Sequence, residues 1–209
     1  LVEATPELTS TSDSPALAVS VLQMLRTATS VQHKALEARL PLTHADLDRS
    51  LYTRIIEAYY GFHVPLQRHI DQFVSPQACD PKRYKVAALI KDLRALGLSD
   101  GQIDRLPLCC DLPRLQTQGH LLGIMYVIEG ATLGGQVLRR IIADRLGIEA
   151  DSGGEFLDVY GRDTGRRWKA FLKQLADFDQ PEYNGDVVDA ACATFASFER
   201  WLDRAGVLL

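Results

Sequence analysis

The sequence is poor in the residues that build stapled, metal-clustered or membrane-embedded proteins. Of its 209 residues only four are cysteine: Cys79, Cys109, Cys110 and Cys192. They form no CxxC pair, and adjacent Cys109 and Cys110 are badly placed to bridge each other. The thiols therefore read as reduced and partly buried in a cytoplasmic protein. There is no HExxH, no pair of ExxH segments and no Cys/His quartet, which leaves zinc and di-iron carboxylate sites unsupported. Neither sign of charge dominates: 23 Lys+Arg stand against 27 Asp+Glu, a net charge of −4. The sequence pI is near 5.7, so no basic field calls for nucleic acid or a membrane surface. The longest apolar runs, such as residues 120–128, fall far short of a membrane span and carry glycine. Residues 1–16 are rich in Ser, Thr, Pro and Glu, without a basic start or an apolar core. They read as a loose tail (1–14 flexible) and not as a secretory leader.

Strand alternation is also missing, and so are internal repeats. What remains is helical. Ser14-Pro15 has the form of an N-cap followed by proline at the first helical position, opening a helix to about Leu40, before Pro41. Thr43 and Asp46 reopen the chain into a long amphipathic helix to about Val74, with Pro65 predicting a kink. A polar stretch from Ser75 to Arg83 leads to a short helix over 84–96. Asp111 and Pro113 start the next helix, which runs to Leu146 before Gly147. A Gly/Asp-rich loop over 148–162 precedes two closing helices, 163–178 and 182–205. The expectation is an all-α, single-domain helical bundle over residues 15–209.

Residues 119–135, GHLLGIMYVIEGATLGG, carry the most informative spacing. At ~100° per residue, Gly119, Gly123, Gly130 and Gly134 fall within an arc of roughly 60°, with Gly135 just off it. Each glycine inside a helix costs ~1 kcal/mol against alanine. A bare face then serves close helix–helix contact, a bend, or a flat ligand lying on backbone.

Of the five histidines, His44, His63, His69 and His120 have ordinary structural settings. His33 differs because of its row. Leu22, Arg26, Thr29, His33, Leu36 and Leu40 follow at alternating intervals of four and three, one helical stripe. An imidazole on a core-facing stripe must pair or bind something. Glu37, one turn on, could orient its ring. Arg26 lies ~10 Å back along the axis, which suits a flat ligand held at its centre by His33 and at an anionic edge by Arg26. Haem has that shape.

At this point two segments carry a family resemblance: residues 25–33, LRTATSVQH, and residues 129–138, EGATLGGQVL. They resemble the proximal and distal helices of the haem oxygenases. The helical order and the Trp168-Lys169 pair extend the match over most of 15–205. The acidic pI and moderate length are similar to soluble bacterial members, and overall likeness points to those that supply biliverdin to bacteriophytochromes.

The resemblance implies haem b sandwiched between the two helices, with His33 as iron ligand and Glu37 near its other ring nitrogen. Gly130 and Gly134, on a kinked distal helix, would flank the iron and leave room for O2. Arg26, Tyr126, Lys169 and Lys173 become propionate candidates that fix the in-plane rotation of the macrocycle. The implied reaction is oxygenation of haem to biliverdin, as the alpha isomer, with release of iron and CO. Haem is substrate and cofactor, and electrons come from a reductase, ferredoxin or flavodoxin. A bacteriophytochrome is the implied pigment acceptor; neither nucleic acid nor membrane is a partner.

One departure matters. After Gly130 many members carry an aspartate that orders the proton-delivering water, and here stands Ala131. Arg162, Asp163 and Glu129 are possible substitutes. Ala131 also keeps open a non-catalytic haem-binding or transfer protein, and the glycine face alone would fit a helical interaction domain.

Overall fold

The computed structural model describes residues 19–75 and 85–209. The flexible tail expected at 1–14 and the Ser14-Pro15 helix start lie outside the described residues, as do Cys79 and most of the polar stretch 75–83. Helix α1 spans Val21–Arg39, with Ser20 as its N-cap: the hydroxyl oxygen accepts from Gln23 N at 3.3 Å. It ends before Pro41, where a 3-10 turn, Pro41–Thr43, takes over. Helix α2, Arg49–Phe73, is capped by Asp48 rather than by Thr43 or Asp46, because the Asp48 carboxylate accepts from Leu51 N at 2.7 Å.

Pro65 lies inside α2. Having no N–H, it cannot donate to the carbonyl one turn back, that of Gly61. The freed oxygen instead accepts from Cys109 N at 2.8 Å. Gly61 also allows the approach, since a β-carbon there would lie 2.5 Å from both Pro107 O and Trp201 Cζ2. The proline thus becomes a docking point for the extended segment before the next long helix.

Helix α3, Val86–Ala95, packs on α2 and is followed by the single turn α4, Asp100–Ile103, closed by a Ser99/Gln102 capping box. The long helix α5 spans Gln118–Leu146, so its expected start at Asp111/Pro113 is wrong. Asp111 is taken by Arg200, whose Nε and Nη2 donate to its carboxylate at 2.9 and 2.7 Å, leaving that segment strapped to the C-terminal helix. Thr117 caps α5 instead: it accepts from His120 N at 3.1 Å and donates to Asp186 at 2.8 Å. The helix stops before Gly147 as expected. Short 3-10 turns at Ala150–Ser152, Phe156–Asp158 and Gly161–Asp163 lead to α6, Thr164–Phe178, and α7, Asn184–Arg204.

No strand occurs among the described residues, and the all-α expectation holds. Helix α7 is the centre of the bundle: α5, α1 and α2 all pack on it, and α6 contacts both α1 and α5. Fully buried Leu25, Tyr52, Phe62, Leu122, Ile124 and Phe171 knit these layers. By length and composition α5 could cross a membrane, although the unbroken runs of the sequence suggested no such segment. Its apolar length includes fully buried residues, among them Leu122 and Ile124, as a helix packed inside a bundle requires.

Candidate functional site

The buried face of α1 shares only Thr29 and Leu36 with the stripe expected for it. Val21, Leu25, Thr29 and Leu36 are buried, whereas Arg26 and His33 of the stripe are exposed. Thr29 satisfies itself inside by donating to Leu25 O at 2.8 Å. His33 therefore stands at the rim of the buried face, its side chain 53% exposed, and not in the core. Its ring meets Phe195 of α7 edge-on, centroids 5.8 Å apart at 82°. Nδ1 lies 3.5 Å from a Glu37 carboxylate oxygen. That contact engages one ring nitrogen and leaves Nε2 for a ligand.

The glycines of α5 divide into two kinds. Gly119 and Gly123 are packing glycines: a β-carbon on Gly119 would lie 2.8 Å from Asp186 Cβ, and one on Gly123 would overlap the carbonyl of Val187. Gly135 is another, pressed against the carbonyl of Leu157. For these three, close contact between elements is the whole explanation. Gly130 and Gly134 are different. At Gly130 a β-carbon would meet only Trp168, at an ordinary 3.6 Å, and at Gly134 nothing lies within 4 Å. Exposed Leu133 and Val137 flank this open stretch, at 42% and 59% of full exposure. Bare backbone bordered by unpartnered apolar side chains is a surface suited to a flat, largely apolar ligand.

Behind the open stretch lies a buried polar cluster. Lys85 Nζ is 2.8 Å from Glu129 Oε1, and the Tyr160 hydroxyl donates to the same oxygen at 3.0 Å. Arg167 stacks over the Tyr160 ring, 4.6 Å from its centroid. Burial, aided by the Lys85 charge, pushes the His63 imidazole down to about 3, so it is neutral at physiological pH. Farther along α5, Gln136 Nε2 donates to Gly161 O at 2.8 Å and to Asp158 at 3.1 Å. Arg139 lies 3.5 Å from the other Asp158 oxygen.

The remaining predicted residues are spread around these two faces. Arg26 is exposed on α1, seven residues before His33. Tyr126 is half-buried with its ring 5.9 Å from Trp168, which itself stacks on Phe171 at 5.5 Å. Lys169 is exposed on α6. Lys173, one turn on, is tied to Asp177 at 2.6 Å. Of the substitutes for an acidic residue at Ala131, Glu129 is locked into the Lys85 pair and Asp163 pairs with Arg166 at 3.0 Å. Arg162 is exposed. Sequence reasoning missed two things: that the Trp168 ring edge borders Gly130, and that Lys85 reaches Glu129. Only the helical phase of Glu129, a quarter turn from the glycines, hinted at the second.

The family model described as heme oxygenase matches residues 19–204. Three solved structures share the fold. Haem oxygenase from Leptospira interrogans gives a TM-score of 0.69 at 20% identity, covering 89% of this chain and 100% of that one. The NO- and CO-bound haem oxygenase from Neisseria meningitidis gives 0.66 at 18% identity, covering 90% and 92%. Haem oxygenase-1 from the cyanobacterium Synechocystis, in complex with haem, gives 0.69 at 15% identity, covering 89% and 92%. At such identities the likeness is one of fold. No curated protein matches the chain significantly.

Proposed function

The chain belongs to the haem oxygenase family, and from that premise we propose that it cleaves haem oxidatively to biliverdin IX-alpha, releasing ferrous iron and CO. Oxygen is the co-substrate, and electrons come from a ferredoxin, flavodoxin or reductase. The setting is the cytoplasm, and the pigment serves a bacteriophytochrome. Residues 15–209 act as one catalytic domain.

The observation that carries the reading is Gly134, which accepts the helix-propensity cost of glycine with no heavy atom within 4 Å to require it. Packing accounts for Gly119, Gly123 and Gly135. For Gly134 the remaining reason is a ligand that lies on the backbone. Haem fits the donors present. His33 offers Nε2, and Glu37, 3.5 Å from Nδ1, is close enough to orient the ring. Arg26 lies ~10 Å along α1 from His33, the reach from a macrocycle centre to a carboxylate edge. Lys169 is free to join it, whereas Lys173 would have to exchange Asp177 for a propionate. Tyr126 stands near Gly130 through Trp168.

Bound haem supplies the redox chemistry, as substrate and cofactor together. The protein's part is position. Gly130 and Gly134 keep side chains off the reacting face, and the exposed Leu133 and Val137 remove water from it when covered. Arg26 and Lys169 would pair with the propionates of a bound haem and so fix how it is seated. A second reading, a non-catalytic haem carrier, is favoured by one observation: the apolar Ala131 beside Gly130, with Glu129 already committed to Lys85.

The test is one equivalent of haem, then ascorbate with catalase present, followed by visible spectroscopy. Bleaching of the Soret band with growth of a red biliverdin band supports the oxygenase, and chromatography of the pigment identifies the isomer. A Soret band that persists supports the carrier. His33→Ala should weaken or abolish the axial-ligand spectrum, and an unchanged spectrum would remove His33 from the site.

A further inference from the structure

Helix α5 has a mechanical problem. To be useful at Gly130 and Gly134 its bare face must hold one orientation, yet glycines supply no side chains to lock it. Resting on the haem reading above, we propose that the buried Lys85–Glu129–Tyr160 cluster sets the rotation of α5 about its axis, with Glu129 as the positioning residue for that face.

Glu129 immediately precedes Gly130, so its side chain leaves the helix about 100° from it. It is 2% exposed, and Lys85 is 4% exposed. One carboxylate oxygen takes both bonds, from Lys85 at 2.8 Å and from Tyr160 at 3.0 Å. A carboxylate roughly 5–6 Å off the helix axis moves about 2 Å when the helix turns by ~20°. Such a displacement breaks both bonds, so the pair resists small rotations that apolar contacts would permit.

Tyr160 belongs to a loop that grips α5 twice more. Leu157 presses its carbonyl on Gly135, and Gly161 O accepts from Gln136 at 2.8 Å. These contacts bracket Gly130 and Gly134 in sequence. The loop is itself tied down, because the Asp92 carboxylate on α3 accepts from Glu155 N and Phe156 N, each at 2.8 Å. An ion pair this deep adds little stability over apolar residues of equal size; directed bonds add orientation.

The test is hydrogen–deuterium exchange on the full chain without haem, for the parent, Tyr160→Phe and the double variant Lys85→Met/Glu129→Met. The double variant removes the charges of the Lys85–Glu129 pair together. It should keep its helix content and melt within about 5 °C of the parent. Amides of 130–137 should exchange about tenfold faster, with 119–127 unchanged. Tyr160→Phe should accelerate the same amides to a smaller degree, and it decides the matter if the double variant does not fold. With haem added, both variants should broaden the ferric electron paramagnetic resonance signal, as a ligand seated in several orientations would. Protection at 130–137 equal to the parent in the folded variants would overturn the proposal, as would loosening spread evenly along α5. Failure of the parent itself to bind haem would count against the oxygenase reading and leave the exchange result standing.

Discussion

Gly135 carries its α-carbon against the carbonyl of Leu157, so closely that a β-carbon would overlap the oxygen, whereas its neighbour Gly134 faces nothing within 4 Å. Two adjacent glycines thus have unrelated purposes. Gly135→Ala must push the Leu157 backbone away and should cost about 2–3 kcal/mol. Gly134→Ala meets no obstacle and should gain up to ~1 kcal/mol from helix propensity. Urea unfolding of the two variants checks this, and equal losses would mean that the open face has been misplaced.

Gly134→Leu should separate binding from turnover. On the proposed reading a leucine side chain would occupy the open face at Gly134 but leave His33, on α1, untouched. Ferric haem should still give a Soret band, while bleaching under ascorbate falls by about 100-fold or more, as expected when a reacting group is displaced by ~1 Å. Turnover at the parent rate would remove Gly134 from the reacting face.

Much of this was legible in the sequence, for reasons that differ by residue. The helices follow from apolar periodicity, and the end of α5 at Gly147 from a left-handed cap at φ 63°. The glycine pattern singled out α5 but could not say which glycine meets which neighbour. That depends on α7 and Leu157, 22 or more residues away in sequence. The start of α5 was misread because Thr117 gains its advantage as a cap from a tertiary bond to Asp186. His33 was placed in the core with its stripe, but only Thr29 and Leu36 of that stripe are buried, while Val21 and Leu25 carry the rest of the burial on α1. The Lys85–Glu129 pair spans 44 positions and has no local signature.

Asp92 should make the fold less stable as pH rises through the weakly acidic range. Burial raises its carboxyl to about 6, against the pull of its two backbone bonds. The folded chain therefore holds a proton that the unfolded chain has released above its ordinary value of 3.8. The contribution is full below that value and is lost as pH climbs through about 6. Relative to Asp92→Asn, the parent should lose about 2 kcal/mol between pH 4 and pH 6.5. Urea titrations at each pH measure it, and parallel profiles would refute the raised carboxyl.

His63 should act with the opposite sign, and the two groups meet at one residue. Phe156 gives its N–H to Asp92 at 2.8 Å and its ring edge to His63, centroids 5.2 Å apart. His63 is lowered from 6.5 to about 3, so the unfolded chain takes up a proton that the folded chain refuses. Stability from this group is present above pH 6.5 and drains away as pH falls, by about 2 kcal/mol at pH 5. Around pH 5 the folded state holds nearly one more proton at Asp92 than the unfolded state does, and the unfolded state holds nearly one more at His63 than the folded. The parent's stability should consequently be nearly flat there as far as these two groups contribute. His63→Gln should expose the Asp92 slope, falling as pH rises, and Asp92→Asn the His63 slope, rising with pH. Because both contact Phe156, the double variant should depart from the sum of the singles. Two single variants with the same slope as the parent would show that neither group is perturbed in the folded protein.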